Sequence, residues 1–315
     1  MQKLSDYISQ FSISSDFNEN SISSFVILSD IEKRIKEKIE KIGIPLKNWD
    51  IQINYGIKTG FNEAFIIDGK TRDELIAKSS KNAEIIRPIL RGRDIKRYGY
   101  EFADLWLIYI PWHFPLHKDP SIVGASKKAE LEFQKEYPDI YNYLLKYKEQ
   151  LLNRNKAETG IRYEWYALQR WGANYMDDFS RQKIIYPNMT KFLPFFLDNS
   201  GFYQNDKSFM ITGTNIAFLT AFLNSSIFKY CFLDNFPELQ GGTRELRKIF
   251  LDKIPVILVN ENTNRLFCEK VNQIQILKAN YKETKDIEIE IDQMIFDLYQ
   301  LTNEERGIIG YIEIQ

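Results

Sequence analysis

The spacing of apolar residues predicts a helix near the start of the chain. Isoleucines recur at helical intervals between residues 30 and 42, and Gly43 follows them. Ser29 and Glu32 stand in the positions of a capping box, in which two side chains satisfy the first backbone N–H groups of a helix. The pattern predicts an amphipathic helix over 30–42, preceded by a Ser- and Asn-rich tail or linker over 1–28.

The pattern changes to β-type alternation after residue 50. Residues 51–55 alternate apolar and polar positions, and residues 64–67 form a second apolar run. A segment that contains Gly56 and Gly60 separates the two runs. This arrangement predicts a β-hairpin whose long cationic tip spans residues 56–62.

The same two periodicities predict most of the remaining elements. Strands are expected at 105–110, 184–186, 192–197 and 209–212, and helices at 72–79 and 214–234. Residues 126–152 are expected to form one or two helices, with Pro138 at the first position of a helix. Thr71 with Glu74 forms a second capping box, and Thr302 with Glu305 forms a third. Helical periodicity over 263–299 predicts a C-terminal segment that packs on another body.

The predicted fold class is α+β, a mixed β-rich domain with flanking helices and a helical C-terminal segment. The predicted divisions are a tail at 1–28, a helix and connector at 29–50, a β-rich domain at 51–256 and the helical segment at 257–315. The 315 residues, 44% of them hydrophobic, are enough to bury a sizeable core.

Cysteine usage and hydropathy predict a reduced, cytoplasmic protein without a membrane segment. Cys231 and Cys268 lie far apart and no Cys-x-x-Cys pair occurs, which gives no support to a disulfide framework or a cysteine zinc site. Residues 1–10 are polar, unlike a signal peptide, and no apolar run reaches the roughly 18 residues of a membrane span.

The motifs of several enzyme classes do not occur in the sequence. It contains no Gly-x-Gly, no P-loop, no Gly-x-Ser-x-Gly and no Pro-Pro dipeptide. His113 and His117 have metal-like spacing, but Pro115 lies between them and disfavours the helix that this spacing requires. Glu283 and Lys285 resemble a nuclease Glu-x-Lys pair, although a solvated helix face explains them equally simply.

The charge is distributed unevenly, although the formal net charge of the chain is only −1. Residues 51–256 contain 29 basic and 24 acidic side chains, whereas residues 257–315 contain 6 and 11. Residues 81–100 alone contain 6 basic and 2 acidic side chains. A cationic middle beside an acidic tail fits a polyanion-binding face, and the alternative is an ordinary solvated surface.

Two short segments in this cationic part are the main candidates for recognition. In residues 56–62, Lys58 offers a charge for phosphate, while Thr59 and Asn62 offer short polar groups for phosphate or an adenine edge. Alternatively, Asn62 caps its own turn. The second candidate segment contains four cations that can bind phosphate or guanine, namely Arg91, Arg93, Lys96 and Arg97. Asp94 is expected to orient one of these arginines, and the alternative is a purely structural Arg–Asp pair.

Other candidate contacts follow later in the chain. Arg162, Gln169 and Arg170 stand among aromatic residues, a mixture that suits base-edge contacts, stacking or wedging, although Trp165 or Trp171 can equally be core. Arg244 and Arg247 follow a Gly-Gly pair, and the phosphate-contact candidates near a strand end are Lys183, Asn188 and Lys191.

Several of these segments resemble one known family. Residues 54–68, with their two glycines, and the run Leu90-Arg91-Gly92-Arg93-Asp94 resemble the TaqI-like C-terminal specificity domain of type II restriction-modification enzymes and N6-adenine DNA methyltransferases. Further similar segments are 183–187, 222–225, 253–256 and 291–302. The resemblance covers roughly residues 25–315 and implies that 51–256 is a target-recognition domain for double-stranded DNA.

In that family, the S-adenosylmethionine-binding and Asn-Pro-Pro-Tyr motifs lie upstream of the specificity domain, and these residues contain neither. The resemblance therefore implies that a methyltransferase or endonuclease domain or subunit supplies catalysis, and that S-adenosylmethionine and Mg²⁺ bind there rather than to this chain. It also implies that the flanking helices dock on this catalytic partner. Two alternatives remain, a nuclease with an unrecognised site and a protein-interaction module that uses the aromatic residues.

Overall fold

The computed structural model describes residues 29–312 and places two four-stranded sheets at the centre of the fold. The first sheet is antiparallel, with the strand order β10 (Phe196–Asp198), β8 (Lys183–Pro187), β12 (Ser208–Gly213) and β2 (Ile51–Tyr55). The second sheet has the order β11 (Tyr203–Gln204), β4 (Ile86–Leu90), β7 (Leu105–Ile108) and β3 (Ile66–Asp68). Its β11–β4 pair is parallel, and its other pairs are antiparallel.

Three smaller sheets join neighbouring loops. They are formed by β1 (Ile44–Pro45) with β15 (Pro255–Val256), by β5 (Ile95–Lys96) with β6 (Gly99–Tyr100), and by β9 (Met189–Thr190), β14 (Thr243–Glu245) and β13 (Glu238–Leu239). The helices are α1 (Asp30–Ile42), α2 (Asn62–Phe65), α3 (Gly69–Lys78), α4 (Lys127–Glu136), α5 (Pro138–Leu145), α6 (Lys148–Asn153), α7 (Ile216–Leu223), α8 (Ser226–Phe232), α9 (Lys248–Leu251), α10 (Glu261–Ala279), α11 (Lys285–Leu298) and α12 (Asn303–Ile309). The predicted α+β class is thus confirmed.

The first core lies between the first sheet and a layer of helices. Every residue of α7 is buried, because this helix lies in the core that the sheet shares with α10. The apolar positions of α10 and α11, among them Phe267, Ile274 and Ile291, belong to this same core. The apolar faces of the C-terminal helices thus pack on α7 and α8 of the same chain, and the docking of these helices on a catalytic partner stays a prediction.

The second core lies between the second sheet and helices α4 to α6. Its centre is aromatic: the Phe133 ring stacks on Tyr166 at 4.6 Å between centroids, and Tyr163 and Trp165 are also buried. The aromatic residues of the 162–171 segment are thus structural, as the alternative interpretation held for Trp165.

The predicted hairpin over residues 51–67 is wrong. Strand β2 pairs with β12, whereas β3 pairs with β7 in the other sheet, and residues 62–65 between them form the short helix α2. The chain passes from the first sheet to the second through residues 56–61, and the Ile57 amide donates a hydrogen bond to the carbonyl oxygen of Gln204 in β11. A Cβ atom on Gly56 would lie 2.1 Å from the carbonyl oxygen of Asn205, so this crossing point accepts only glycine.

Two of the three predicted capping boxes are confirmed at the N-termini of helices. Ser29 with Glu32 begins α1, and Thr302 with Glu305 begins α12. The second box is wrong, because the Asp68 carboxylate caps α3 by accepting a hydrogen bond from the Thr71 amide. A carboxylate further upstream thus supplies the cap.

Several predicted elements have different limits in the structure. The one or two helices predicted at 126–152 are three helices, and Pro138 begins α5 as predicted. The predicted helix at 214–234 is divided between α7 and α8. The predicted strand at 192–197 is limited to β10. The predicted tail at 1–28 lies outside the described residues.

Within residues 29–312 no single helix is long and apolar enough to cross a membrane. The bent pair Ile216–Leu223 and Ser226–Asn235 passes such a test by length and composition together, and most of this pair is buried in the first core.

Candidate nucleic-acid interface

A shallow groove of about 640 Å³ lies where the 91–95 turn meets strands β8 and β9, and we call it the basic groove. Its lining residues come from four separate parts of the chain: Arg91, Gly92, Arg93, Ile95, Pro187, Asn188, Met189, Thr190, Lys191, Phe192, Asn205, Lys207 and Thr243. The backbone amide of Asn188 donates to the carbonyl oxygen of Lys207 at 2.8 Å. This bond fixes two walls of the groove relative to each other.

The 91–95 turn is held rigid by one carboxylate. Asp94 accepts hydrogen bonds from the backbone N, Nε and Nη2 of Arg91, at 2.8, 2.9 and 2.8 Å. Burial disfavours the charged form of Asp94, but the hydrogen bonds from Arg91 outweigh burial and lower the pKa of this carboxyl. Asp94 thus orients Arg91, as expected, and Arg91 is a paired cation at the groove edge.

Three other cations of the basic groove have exposed side chains. They are Arg93, Lys191 and Lys207, and no carboxylate of residues 29–312 lies within 4.0 Å of their nitrogen atoms. Unpaired cations collected from distant parts of the chain create a local positive potential. Exposed Met189 and Phe192 add an apolar surface to the same groove.

A second groove, of about 560 Å³, is lined mainly by polar groups, and we call it the polar groove. Its lining residues are Trp112, Asn155, Ala157, Glu158, Arg162, Gln169 and Arg170. Arg162 is paired with Glu158 at 2.8 Å, whereas Arg170 is exposed and has no carboxylate within 4.0 Å in the described part of the chain. Amide and guanidinium groups of this kind match the hydrogen-bonding edges of bases.

The crossing segment between the sheets connects the two grooves. Ile57 forms a bridge with Asn205, which lines the basic groove, and Lys58 forms a bridge with Arg170, which lines the polar groove. The Lys58 and Arg170 backbones exchange hydrogen bonds of 3.0 and 2.9 Å. No acidic group of residues 29–312 pairs with the Lys58 side chain, which is partly exposed between the grooves.

A partly buried arginine holds this connecting segment in place through hydrogen bonds. Arg154 donates to the carbonyl oxygens of Thr59, Trp165 and Ala167, and no carboxylate of the described residues lies within 4.0 Å of it. Burial lowers the pKa of Arg154 to about 10, so the side chain is still charged at neutral pH. The Thr59 hydroxyl donates a hydrogen bond to Asn62 Oδ1 at 2.6 Å. This contact agrees with the alternative interpretation, in which Asn62 is a turn residue.

Three predicted contact cations pair with acidic residues of the same chain. Lys183 is fully buried and paired with Asp198, so the prediction that it contacts phosphate is wrong. Arg97 is paired with Glu288 and donates to the Asn224 carbonyl, and Arg244 pairs with both Asp234 and Glu238. Both arginines are partly buried, and their contacts to DNA stay predictions. The Thr59 side chain is also buried and is not an accessible contact.

The remaining predicted residues are exposed or partly exposed. Lys96 and Arg247 are paired with Glu101 and Glu245, and Gln169 lines the polar groove. The sequence reasoning missed Lys207, Asn155, Trp112 and Arg154. A signal for Lys207 exists, because Asn205-Asp206-Lys207 is a polar run between two apolar strands and predicts an exposed turn.

The two histidines form no metal site. No group of three or more His, Cys, Asp and Glu side chains in residues 29–312 is placed to hold a metal ion. Instead, His113 contacts the carboxylate of Glu164, and the His117 ring stacks on Phe114.

The chain is a member of the family of TaqI-like C-terminal specificity domains, whose family model matches residues 87–256, more than half of its length. It is thus a DNA-recognition module of the restriction-modification type.

Two proteins illustrate this relationship. The type II methyltransferase M.MjaIV of Methanocaldococcus jannaschii is 24% identical over 270 residues, which are 84% of this chain and 79% of the methyltransferase. The Type IIL restriction-modification enzyme MmeI, solved in complex with DNA, has a similar fold with a TM-score of 0.56 and 13% identity. That match covers 84% of this chain and 35% of MmeI, so this chain spans about a third of the length of MmeI.

Proposed function

We propose that this chain reads the target sequence of an adenine methyltransferase or endonuclease, and that the duplex lies across the basic and polar grooves. The observation that carries this proposal is the pair of backbone bridges that connects residues 57–58 to both grooves. The basic groove is lined by Arg93, Lys191 and Lys207, the polar groove by Arg170, and Lys58 lies on the connecting segment. Cations without acidic partners among residues 29–312 suit a phosphate backbone, which carries one charge per nucleotide.

The two grooves differ in chemistry, which suggests a division of roles. The basic groove has exposed Arg and Lys side chains and suits phosphate contacts, which position a duplex without reading it. The polar groove combines Gln169, Asn155 and Arg170, and such amide and guanidinium groups form bidentate contacts with adenine and guanine edges. We therefore assign affinity to the first groove and base readout to the second.

A separate catalytic domain or subunit completes the activity in this proposal. It binds S-adenosylmethionine and Mg²⁺, and it acts on the adenine in the cytoplasm. A base in a duplex must be rotated out of the stack before it is methylated, and a recognition domain on the other side of the DNA holds the duplex during that step.

The experiment is a titration of duplex DNA at several salt concentrations. The triple variant Arg93→Ala, Lys191→Ala, Lys207→Ala removes the unpaired cations of the basic groove. Each phosphate contact that is lost should reduce the slope of log K against log salt by about 0.9, so the triple variant should lose roughly 2 to 3 units of slope.

The matched control is the triple variant Lys33→Ala, Lys47→Ala, Lys282→Ala. It removes three exposed lysines that lie outside the grooves and have no carboxylate within 4.0 Å in the described chain, so the net charge changes equally. Equal slopes for the two triple variants would contradict the assignment of the basic groove.

Base readout has its own test. Wild-type protein and the variant Gln169→Ala each select sequences from a random duplex library. The variant should relax the preference at one position of the selected sequence, with a discrimination of about 1–3 kcal/mol lost there. An unchanged selected sequence would remove Gln169 from the base-reading set.

A further inference from the structure

Two exposed apolar residues lie on neighbouring loops beside the polar groove. Val123 is 93% exposed and Ile161 is 63% exposed. The backbone amide of Ala125 donates to the carbonyl oxygen of Ile161 at 2.9 Å, which joins the 114–125 loop to the 155–162 loop. Ile161 directly precedes Arg162, which lines the polar groove. We call these two loop ends the apolar tip.

The apolar tip is held firmly from beneath by a buried carboxylate. Glu164 accepts hydrogen bonds from the backbone amides of His113 and Ser126 at 2.7 and 2.9 Å, and it also contacts His113 Nδ1 at 3.0 Å. The two ends of the 114–125 loop are thereby fixed to one residue. The Trp112 ring, next to this anchor, stacks on Tyr163 at 4.7 Å. Exposed apolar residues on such a fixed support do not retreat into the protein.

The charges around the apolar tip are basic. Lys118, Lys127, Lys128 and Lys156 are exposed, and no carboxylate of residues 29–312 lies within 4.0 Å of their ammonium groups. The one acidic residue of the 114–125 loop is Asp119, whose carboxylate accepts from the amide and hydroxyl of Ser121 at 3.0 and 2.6 Å. Exposed apolar residues on loops that carry several unpaired lysines are complementary to a polyanion with an apolar interior, which describes a stacked duplex.

We propose that the apolar tip is a wedge, in which Val123 and Ile161 insert at a base step of the bound duplex and partly unstack it. Apolar side chains that enter between base pairs kink DNA, and nearby cations neutralise the phosphates that the kink brings together. The inference rests on the proposed function, because the duplex that lies in the polar groove passes beside Ile161. Glu164 acts as a positioning residue that holds both loops.

The experiment uses the full chain and the duplex of about 30 base pairs that the wild-type protein selects from a random library, with 2-aminopurine placed at each A·T position in turn. Wild-type protein should raise the fluorescence of the probe at one step, because an unstacked 2-aminopurine is no longer quenched. The double variant Val123→Ser, Ile161→Ser should lose this rise and bind about tenfold more weakly, since it no longer buries apolar surface.

The matched control is Ile276→Ser on α10, because Ile276 is 64% exposed, nearly the same as Ile161. This variant should behave as the wild type in both measurements. Both variants change exposed side chains, so both should unfold at the wild-type temperature. The positioning role of Glu164 predicts that Glu164→Gln reduces the fluorescence rise more than it reduces affinity.

The outcomes separate this inference from the proposed function. A selected duplex that binds without a fluorescence rise at any step overturns the wedge, and so does a double variant that matches Ile276→Ser. Either result leaves the grooves as the DNA site. Failure of the wild-type protein to select any duplex contradicts the proposed function, and the wedge with it.

Discussion

The Nζ atom of Lys183 lies 2.6 Å from Oδ2 of Asp198, and both side chains are completely buried. The ammonium also donates to the Phe179 carbonyl, and Asp198 accepts from the amides of Ser200 and Phe202. Burial lowers the pKa of Lys183, and the charge of Asp198 opposes that shift. A strand-end lysine that sequence alone would place on phosphate is therefore one half of an internal ion pair.

Removal of this lysine should destabilise the fold strongly. Lys183→Met leaves the carboxylate of Asp198 buried without its counter-ion, and such a change costs about 3–5 kcal/mol. The free energy of unfolding in urea measures the loss. Lys191→Met, at an exposed position, is the control and should stay within about 0.5 kcal/mol of the wild type. A loss below 1 kcal/mol for Lys183→Met would contradict the buried pair.

The Asp94 carboxylate predicts a specific pH dependence of stability. Its pKa in the folded protein lies below the ordinary value of 3.8, because the hydrogen bonds from Arg91 outweigh the effect of burial. Because its pKa is lowered, the ionised Asp94 carboxylate stabilises the folded state above pH 3.8. This stabilisation disappears as the pH falls through the folded-state pKa. The stability difference between wild type and Asp94→Asn should therefore be largest near neutral pH and shrink in acid.

Urea unfolding between about pH 7 and pH 2 tests this expectation. Asp286→Asn is the control, since Asp286 is exposed and has no cation within 4.0 Å among residues 29–312. Its difference from wild type should change less over the same range than the difference for Asp94→Asn. A difference for Asp94→Asn that grows in acid would have the wrong sign and would exclude the Arg91 contact as its cause.

Gly60 should be sensitive to a single added methyl group. Its φ is +78°, and a Cβ atom would lie 2.8 Å from Arg154 Cδ and 2.9 Å from Gln169 Oε1. Gly60→Ala should lower the free energy of unfolding by about 1–2 kcal/mol because of the left-handed backbone, and further because of the two close contacts. The variant should also weaken DNA binding, because the new methyl group displaces Gln169. Gly242→Ala has the same backbone conformation with nothing within 4 Å of the new atom. Equal unfolding free energies for both variants would show that the Arg154 and Gln169 contacts do not matter.

Arg97 should couple the β5–β6 segment to the C-terminal helices. Its guanidinium contacts Glu288 on α11 and the carbonyl oxygen of Asn224 after α7. Arg97→Met should lower the free energy of unfolding by about 3 kcal/mol, because Glu288 stays buried with less compensation from Lys278 alone. Binding to duplex under native conditions should be unchanged, since this side chain does not reach the grooves. A loss of affinity with unchanged stability would return Arg97 to the DNA-contact set.

Local signals in the sequence were sufficient for the elements that depend on neighbours in the chain. Helix α1 begins at the predicted capping box and has its buried face at the predicted isoleucines. The β2 pairing was not predictable in the same way, since its partner β12 lies more than 150 residues later. A period-two pattern identifies a strand but not the strand that it will pair with.

In the candidate site, too, the sequence predicts which residue types are present but not which residues they pair with. The 81–100 segment was correctly identified as rich in cations, and Arg93 is free, but Arg97 is neutralised by an acidic residue on a helix almost 200 positions away. Conversely, the resemblance identified the family correctly, because the order of its segments is characteristic as a set. The apolar tip had no signal, because Val123 and Ile161 become neighbours only through the Glu164 anchor.

The core that α10 and α11 share with the first sheet determines where specificities can be exchanged between enzymes. A graft that stops at residue 256 would remove Phe267, Ile274 and Ile291 and leave α7 without its cover. A transplantable block therefore includes α10 and α11 together with the first sheet and α7, which they cover. Exchange of target sequence by recombination is expected to keep this block intact and to vary the loops that line the two grooves.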